Sequence, residues 1–271
     1  MALSPAEIAA LLGAAFGAGV MNAMAGGGTI LTFPVLLLLG QSPITANATS
    51  TVALMPGAAA SLFGYRREVR THRAWLKTLF LPSLAGGALG AWLLLRTPEE
   101  AFASLAPLLV LFATVLFMVQ GLVARRVAAR RAARGETVEA TALAGTTLPR
   151  GRWIVAVLCQ FAVAVYGGYF GAGIGILMLA LLGFLGLDDI HAMNGLKNFF
   201  GLCINGVAAG YFLLQGAADL PSALVILVGA VLGGYGGARL ARRIGRDKAR
   251  AAVVAIGLLV TALLAWQRWG P

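Results

Sequence analysis

Residues 19–29 read Gly-Val-Met-Asn22-Ala-Met-Ala-Gly26-Gly27-Gly28-Thr29, and they lie inside an apolar segment that runs from 7 to 40. Three consecutive glycines do not sustain a helix, since each costs about 1 kcal/mol relative to alanine. Non-helical backbone at membrane depth is tolerated only where it is buried in protein or lines a polar cavity. A break here frees the amide N–H groups that open the next half-helix, at the positive end of its dipole, and this suits an anion. After the break come an apolar run, Gly40, and a polar cluster at Asn47, Thr49 and Ser50.

The pattern recurs. Residues 166–175 read Tyr-Gly-Gly-Tyr-Phe-Gly171-Ala-Gly173-Ile-Gly175, followed by an apolar run, Gly186, and Asn194, Lys197 and Asn198. Gly40 and Gly186 set the offset at 146 residues. The chain therefore reads as a duplication: a first repeat at 1–123, a basic cytoplasmic linker at 124–151 and a second repeat at 152–271. The expected fold is an all-α polytopic membrane protein of about eight hydrophobic segments. Each half is expected to hold a glycine-broken pair, re-entrant or of two short helices, plus three transmembrane helices.

Composition agrees. Of 271 residues, 59% are hydrophobic and 11% charged, with a mean hydropathy of +0.86. Soluble domains carry about 25% charged residues, so too little polar surface remains to clothe a water-soluble fold. The N-terminus lacks the basic region of a cleavable signal. The net charge of +11 comes from clusters at 66–77, 125–152 and 239–250, which hold 18 of the 21 Lys and Arg. Basic loops between apolar spans follow the positive-inside pattern and attract anionic lipids; a nucleic-acid partner is not implied.

If all three basic clusters are cytoplasmic, an even number of crossings separates each pair. Each broken segment must then return to the side it started from. That makes the two halves an inverted repeat, as in many secondary transporters. It places both termini outside and the protein in a bacterial inner membrane as a multi-pass protein. Trp75 and Trp153 fall near the basic side, and Trp92, Trp266 and Trp269 near the other.

The candidate substrate-binding residues are Asn22, Gly26, Gly27, Gly28, Thr29, Asn47, Thr49 and Ser50 in the first half. In the second they are Gly171, Gly173, Gly175, Asn194, Lys197, Asn198 and Asn205. Lys197 stands out as the one charge well inside an apolar segment, where insertion costs at least about 2.5 kcal/mol. It reads as an anion counter-charge, with snorkelling toward Asp188 and Asp189 as the alternative. Gly13, Gly17, Gly86, Gly90, Gly233 and Gly237, spaced by four, read as helix-packing positions, and the faces at 86–90 and 233–237 offer a surface for a homodimer. Cys159 and Cys203 read as small buried hydrophobes. No catalytic set, metal-ligand cluster or phosphate loop is present, so neither an enzyme nor a cofactor is implied.

These motifs, together with Pro34, Pro43 and Ala46-Asn47-Ala48-Thr49-Ser50, resemble the sulfite exporter TauE/SafE family of permeases over residues 8–265. The resemblance implies secondary transport of a sulfur oxyanion or organosulfonate, such as sulfite or sulfoacetate, coupled to a proton or another ion. One departure is that no proline in the second half matches Pro34. The competing readings are a membrane scaffold or partner protein without transport, and an anion channel.

Overall fold

The computed structural model describes residues 4–24, 27–64, 69, 71–133, 150–187, 189–244 and 246–269. The described residues form ten main helices and no strand. In the first half these are α1 (Pro5–Met24), α2 (Thr29–Leu38), α3 (Pro43–Gly64), α4 (Arg73–Arg96) and α5 (Glu99–Ala133). In the second half they are α6 (Arg150–Tyr169), α7 (Ile174–Phe184), α8 (Ile190–Leu214), α9 (Leu220–Ile244) and α10 (Arg246–Trp269). Four are long and apolar enough to cross a bilayer over the spans Pro5–Asn22, Arg73–Arg96, Glu99–Val119 and Gly151–Tyr169. Helix α5 continues to Ala133 and so takes in the first ten residues of the expected linker.

Each broken segment is a full-length helix followed by a half-helix, α1 then α2 and α6 then α7. The chain reverses at the first break. A β-carbon on Gly28 would lie 2.9 Å from the carbonyl oxygen of Ala18, and one on Gly17 would lie 3.0 Å from Leu31 Cδ1, so α2 folds back along α1. Both half-helices end in the same way. Gly40, at φ +82°, and Gly186, at φ +94°, take the left-handed conformation that only glycine adopts without cost. Around each, the paired bonds Gly40 N–H to Leu37 O with Gln41 N–H to Leu36 O, and Gly186 N–H to Gly183 O with Leu187 N–H to Leu182 O, satisfy the last carbonyls.

Helix packing crosses between the halves. Helix α1 packs on α9, and α6 packs on α4; α3 packs on α9, and α8 on α4; α2 sits against α1 and α3, and α7 against α6 and α8. Helix α3 meets α8, and α5 meets α10. Exchanging each helix for its counterpart in the other half leaves this set of pairs unchanged.

The two crossed pairs are held by glycine. A β-carbon on Gly86 would lie 2.7 Å from Phe161 O, and one on Gly90 would lie 2.7 Å from Tyr169 N. The contact advances along both chains together, so α4 and α6 run in the same direction. Likewise Gly229 faces Leu12 and Ala15, Gly233 faces the carbonyl of Phe16, and Gly19 faces Ala230 and Gly234, so α1 and α9 are parallel. Trp75 and Trp153, near the starts of α4 and α6, stack with centroids 5.0 Å apart.

Several expectations need correction. The glycines at 86, 87 and 90, and Gly233 on α9, pack against other helices of the same chain; Gly237 lies outside the residues whose side chains are described. Gly13 approaches nothing within 4 Å, so it is not a packing position. Cys159 is exposed and Cys203 half-buried, because Cys159 shares the outward apolar face of α6 with Ile154 and Leu158.

Candidate substrate site

The two breaks meet. A β-carbon on Gly27 would lie 3.7 Å from the backbone nitrogen of Gly173, although the residues are 146 apart in sequence. Gly27, at φ +102°, and Gly173, at φ +79°, both hold the left-handed conformation, which lets the chain turn tightly where the two segments touch. Among the described residues, no acceptor takes the N–H groups of Gly27 and Thr29 on one side, or of Ala172, Gly173 and Gly175 on the other. Each group of free amides lies at the N-terminus of a half-helix, where the peptide dipoles add a partial positive charge.

Side chains brace both breaks. Asn22, in the last turn of α1, accepts the Gly28 N–H at 2.9 Å, and Thr32 Oγ1 donates to Gly28 O at 3.5 Å. At the second break, Tyr166 donates its hydroxyl to Ala172 O at 2.7 Å. Asn205 Oδ1 lies 3.6 Å from where a β-carbon of Gly171 would be. Asn47 reaches across from α3 in the other half, and its Nδ2 donates to Tyr169 O at 2.9 Å. Phe33, Phe102 and Phe170 pack edge-on or tilted around this junction, with Phe33 and Phe170 centroids 5.4 Å apart. The site is thus a polar backbone junction walled by aromatic rings.

Helices α3 and α8 supply the remaining candidates. Asn47, Thr49 and Ser50 are fully buried. Thr49 is committed elsewhere, since its Oγ1 accepts the Asp219 N–H at 2.9 Å. Asn47 Oδ1 and Ser50 Oγ are buried without a hydrogen-bond partner. Lys197 is 7% exposed, and no described residue forms an ion pair or hydrogen bond with it. That argues against snorkelling: Asp189 Oδ1 accepts the His191 N–H at 2.9 Å and caps α8, while Asp188 lies outside the described residues. Asn194, Asn198 and Asn205 are half-buried on the same helix, and Asn194 has an interaction of its own. Gly175 is buried, Thr29 is 9% exposed, and Gly26 lies outside the described residues.

Some residues that build the site have no signal of their own in the sequence. Tyr166 and Tyr169 lie inside the glycine motif, yet their role needs the fold. A second polar group is fully dispersed. Gln41 Nε2 donates to Asp219 Oδ2 at 3.1 Å and to Ser222 Oγ at 3.0 Å, and the Ser222 N–H donates to the same carboxylate oxygen at 3.1 Å. It joins the turn after α2 to the loop before α9.

A helical membrane protein with two discontinuous segments meeting in its interior is the architecture of transporters that bind a solute between broken helices. The chain belongs to the sulfite exporter TauE/SafE family, which it matches over residues 11–264. It is 28% identical over 272 residues to a protein of Haemophilus influenzae named "Probable membrane transporter protein", covering 97% of this chain and 96% of that one. It is 27% identical over 276 residues to "Probable membrane transporter protein YfcA" of Escherichia coli K12, covering 99% and 93%. It is also 27% identical over 259 residues to "Probable membrane transporter protein ORF9" of a Sinorhizobium species, covering 94% and 92%. No solved structure matches the chain. The protein is a membrane transporter and not an enzyme.

Proposed function

We propose that this protein is a secondary transporter of small anions, a sulfur oxyanion or organosulfonate such as sulfite or sulfoacetate, bound at the membrane midplane where the two broken helices meet. The observation that carries the reading is the juxtaposition of Gly27 and Gly173, which gathers at one place two sets of amides that have no acceptor among the described residues. Lys197 adds a positive charge from α8, buried and without a counter-ion among the described residues. A cation would meet the wrong sign of charge here.

The halves form an inverted pair in this reading, at 1–123 and 152–271, with the basic loops cytoplasmic, both termini outside, and the protein in a bacterial inner membrane. Support comes from helix direction. The first break reverses the chain, and α4 runs parallel to α6 while α1 runs parallel to α9. With two helices between α1 and α4 that each turn back, α4 opposes α1, and so α6 opposes α1 as well. A coupling proton or other ion moves with the anion, and anionic lipids neutralise the basic loops.

The test is flux of labelled sulfite and of labelled organosulfonates into proteoliposomes. Wild-type protein should transport, and Lys197→Ala or Gly27→Leu should abolish transport while inserting normally. Wild-type rates from both variants would sink the site, and a wild-type protein with no flux for any sulfur anion would favour a scaffold.

A further inference from the structure

We infer that the transported anion carries a hydrogen-bond donor beside its charged group, and that Asn47 and Ser50 receive it. The inference rests on the anion site proposed above and narrows its ligand class to organosulfonates that carry a donor, away from sulfoacetate and the sulfite dianion. Asn47 is 1% exposed and Ser50 is fully buried. They sit three residues apart on α3, hence on one face of the helix.

The orientation of the Asn47 amide is fixed by its partner. The carbonyl oxygen of Tyr169 can only accept, so the nitrogen must face it at 2.9 Å, and Oδ1 is turned the other way. That oxygen is buried with no protein partner. Tyr169 ends α6 and directly precedes the break at 170–173, so the Asn47 amide abuts the junction of the two breaks.

Ser50 occupies the eighth position of α3, and Lys197 the eighth position of α8, the helix against which α3 packs. Where the second half places an ammonium, the first places a hydroxyl whose Oγ also lacks a partner. It does not back-bond to its own helix as Thr51 does to Asn47 O at 2.9 Å. Buried polar atoms are nearly always satisfied, and leaving one unmade is costly. An amide oxygen accepts and never donates. A fully deprotonated oxyanion offers only acceptors, so it would leave Oδ1 unpaired and repelled. A ligand with an anionic head for the free amides and an ammonium or hydroxyl for Asn47 and Ser50 satisfies both sets at once.

Three sulfonates of nearly equal shape separate the possibilities: ethanesulfonate, 2-hydroxyethanesulfonate and 2-aminoethanesulfonate, with inorganic sulfite as reference. Their affinities are read by calorimetry on the full-length protein in nanodiscs. The hydroxyl or the amino compound should bind at least about tenfold more tightly than ethanesulfonate, because a site built for a donor rejects the analogue that lacks it. Which of the two gains more tells a hydroxyl from an ammonium ligand. Ser50→Ala, a small change that should fold, should shrink the preference for the donor-bearing sulfonates over ethanesulfonate. Equal affinity for all three sulfonates, sulfite binding with no sulfonate binding, or an unchanged preference in Ser50→Ala would overturn the donor inference and leave the anion site standing. No binding of any of the four compounds would overturn the anion site itself.

Discussion

Lys197 lies in the interior beside Leu196, with Met193 and Phe200 one turn away on α8, all of them buried. A lysine so placed is costly unless something negative visits it, and a transported anion does so only in the loaded state. Lys197→Met should therefore leave the fold as stable as wild type, or more stable, while flux falls at least about tenfold. Paired measurements of melting temperature and proteoliposome uptake check this. Asn22 behaves in the opposite way. Its Oδ1 holds the Gly28 N–H across the first break, so Asn22→Leu should lower stability by about 1–3 kcal/mol, the cost of a buried donor left unmade. Denaturation of the detergent-solubilised protein would reveal that loss.

At the level of elements, glycine does three separable jobs. In the crossed pairs it permits contact between backbones: Gly233→Ala would drive a methyl into the Phe16 carbonyl and Gly90→Ala into α6. Both should yield protein that aggregates on gel filtration. Gly13→Ala meets open space within its helix and should raise stability by up to about 1 kcal/mol. The same scan thus predicts opposite signs for residues of one type. At the turns, Gly40→Ala and Gly186→Ala force a side chain into the left-handed region and should each cost about 1–2 kcal/mol. Much of this was legible in the sequence, because broken helices, glycine turns and polar helix starts leave local marks at fixed spacing. The roles of Gly13 and of Cys159 were not, since four-residue spacing or an apolar setting says nothing of which helix lies opposite. The Asn47–Tyr169 bond was hidden for the same reason: it joins residues 122 apart.

For the molecule as a whole, the Gln41–Asp219–Ser222 cluster ties the turn after α2 to the loop before α9, and Thr49 adds a bond from α3 to the same loop. If the halves rock against each other during turnover, this tie must open and close. In a background with Cys159 and Cys203 replaced by alanine, cysteines at 41 and 219 bridged by a short bifunctional thiol reagent should stop flux, and reduction should restore it. Transport that persists across the bridge would show that this contact is fixed throughout the cycle.

The crossed pairing of α1 with α9 bears on biosynthesis. The first helix to leave the ribosome has its glycine face matched to the ninth, so its partner begins only after 195 further residues, those between Met24 and Leu220. Until then a backbone groove stays open to lipid, with the half-helix α2 waiting beside it. Long-range pairing of this kind slows assembly and lengthens exposure to wrong partners. Truncation after the first half should therefore leave a product that the cell's membrane proteases clear, and co-expression of residues 150–271 as a separate chain should rescue it.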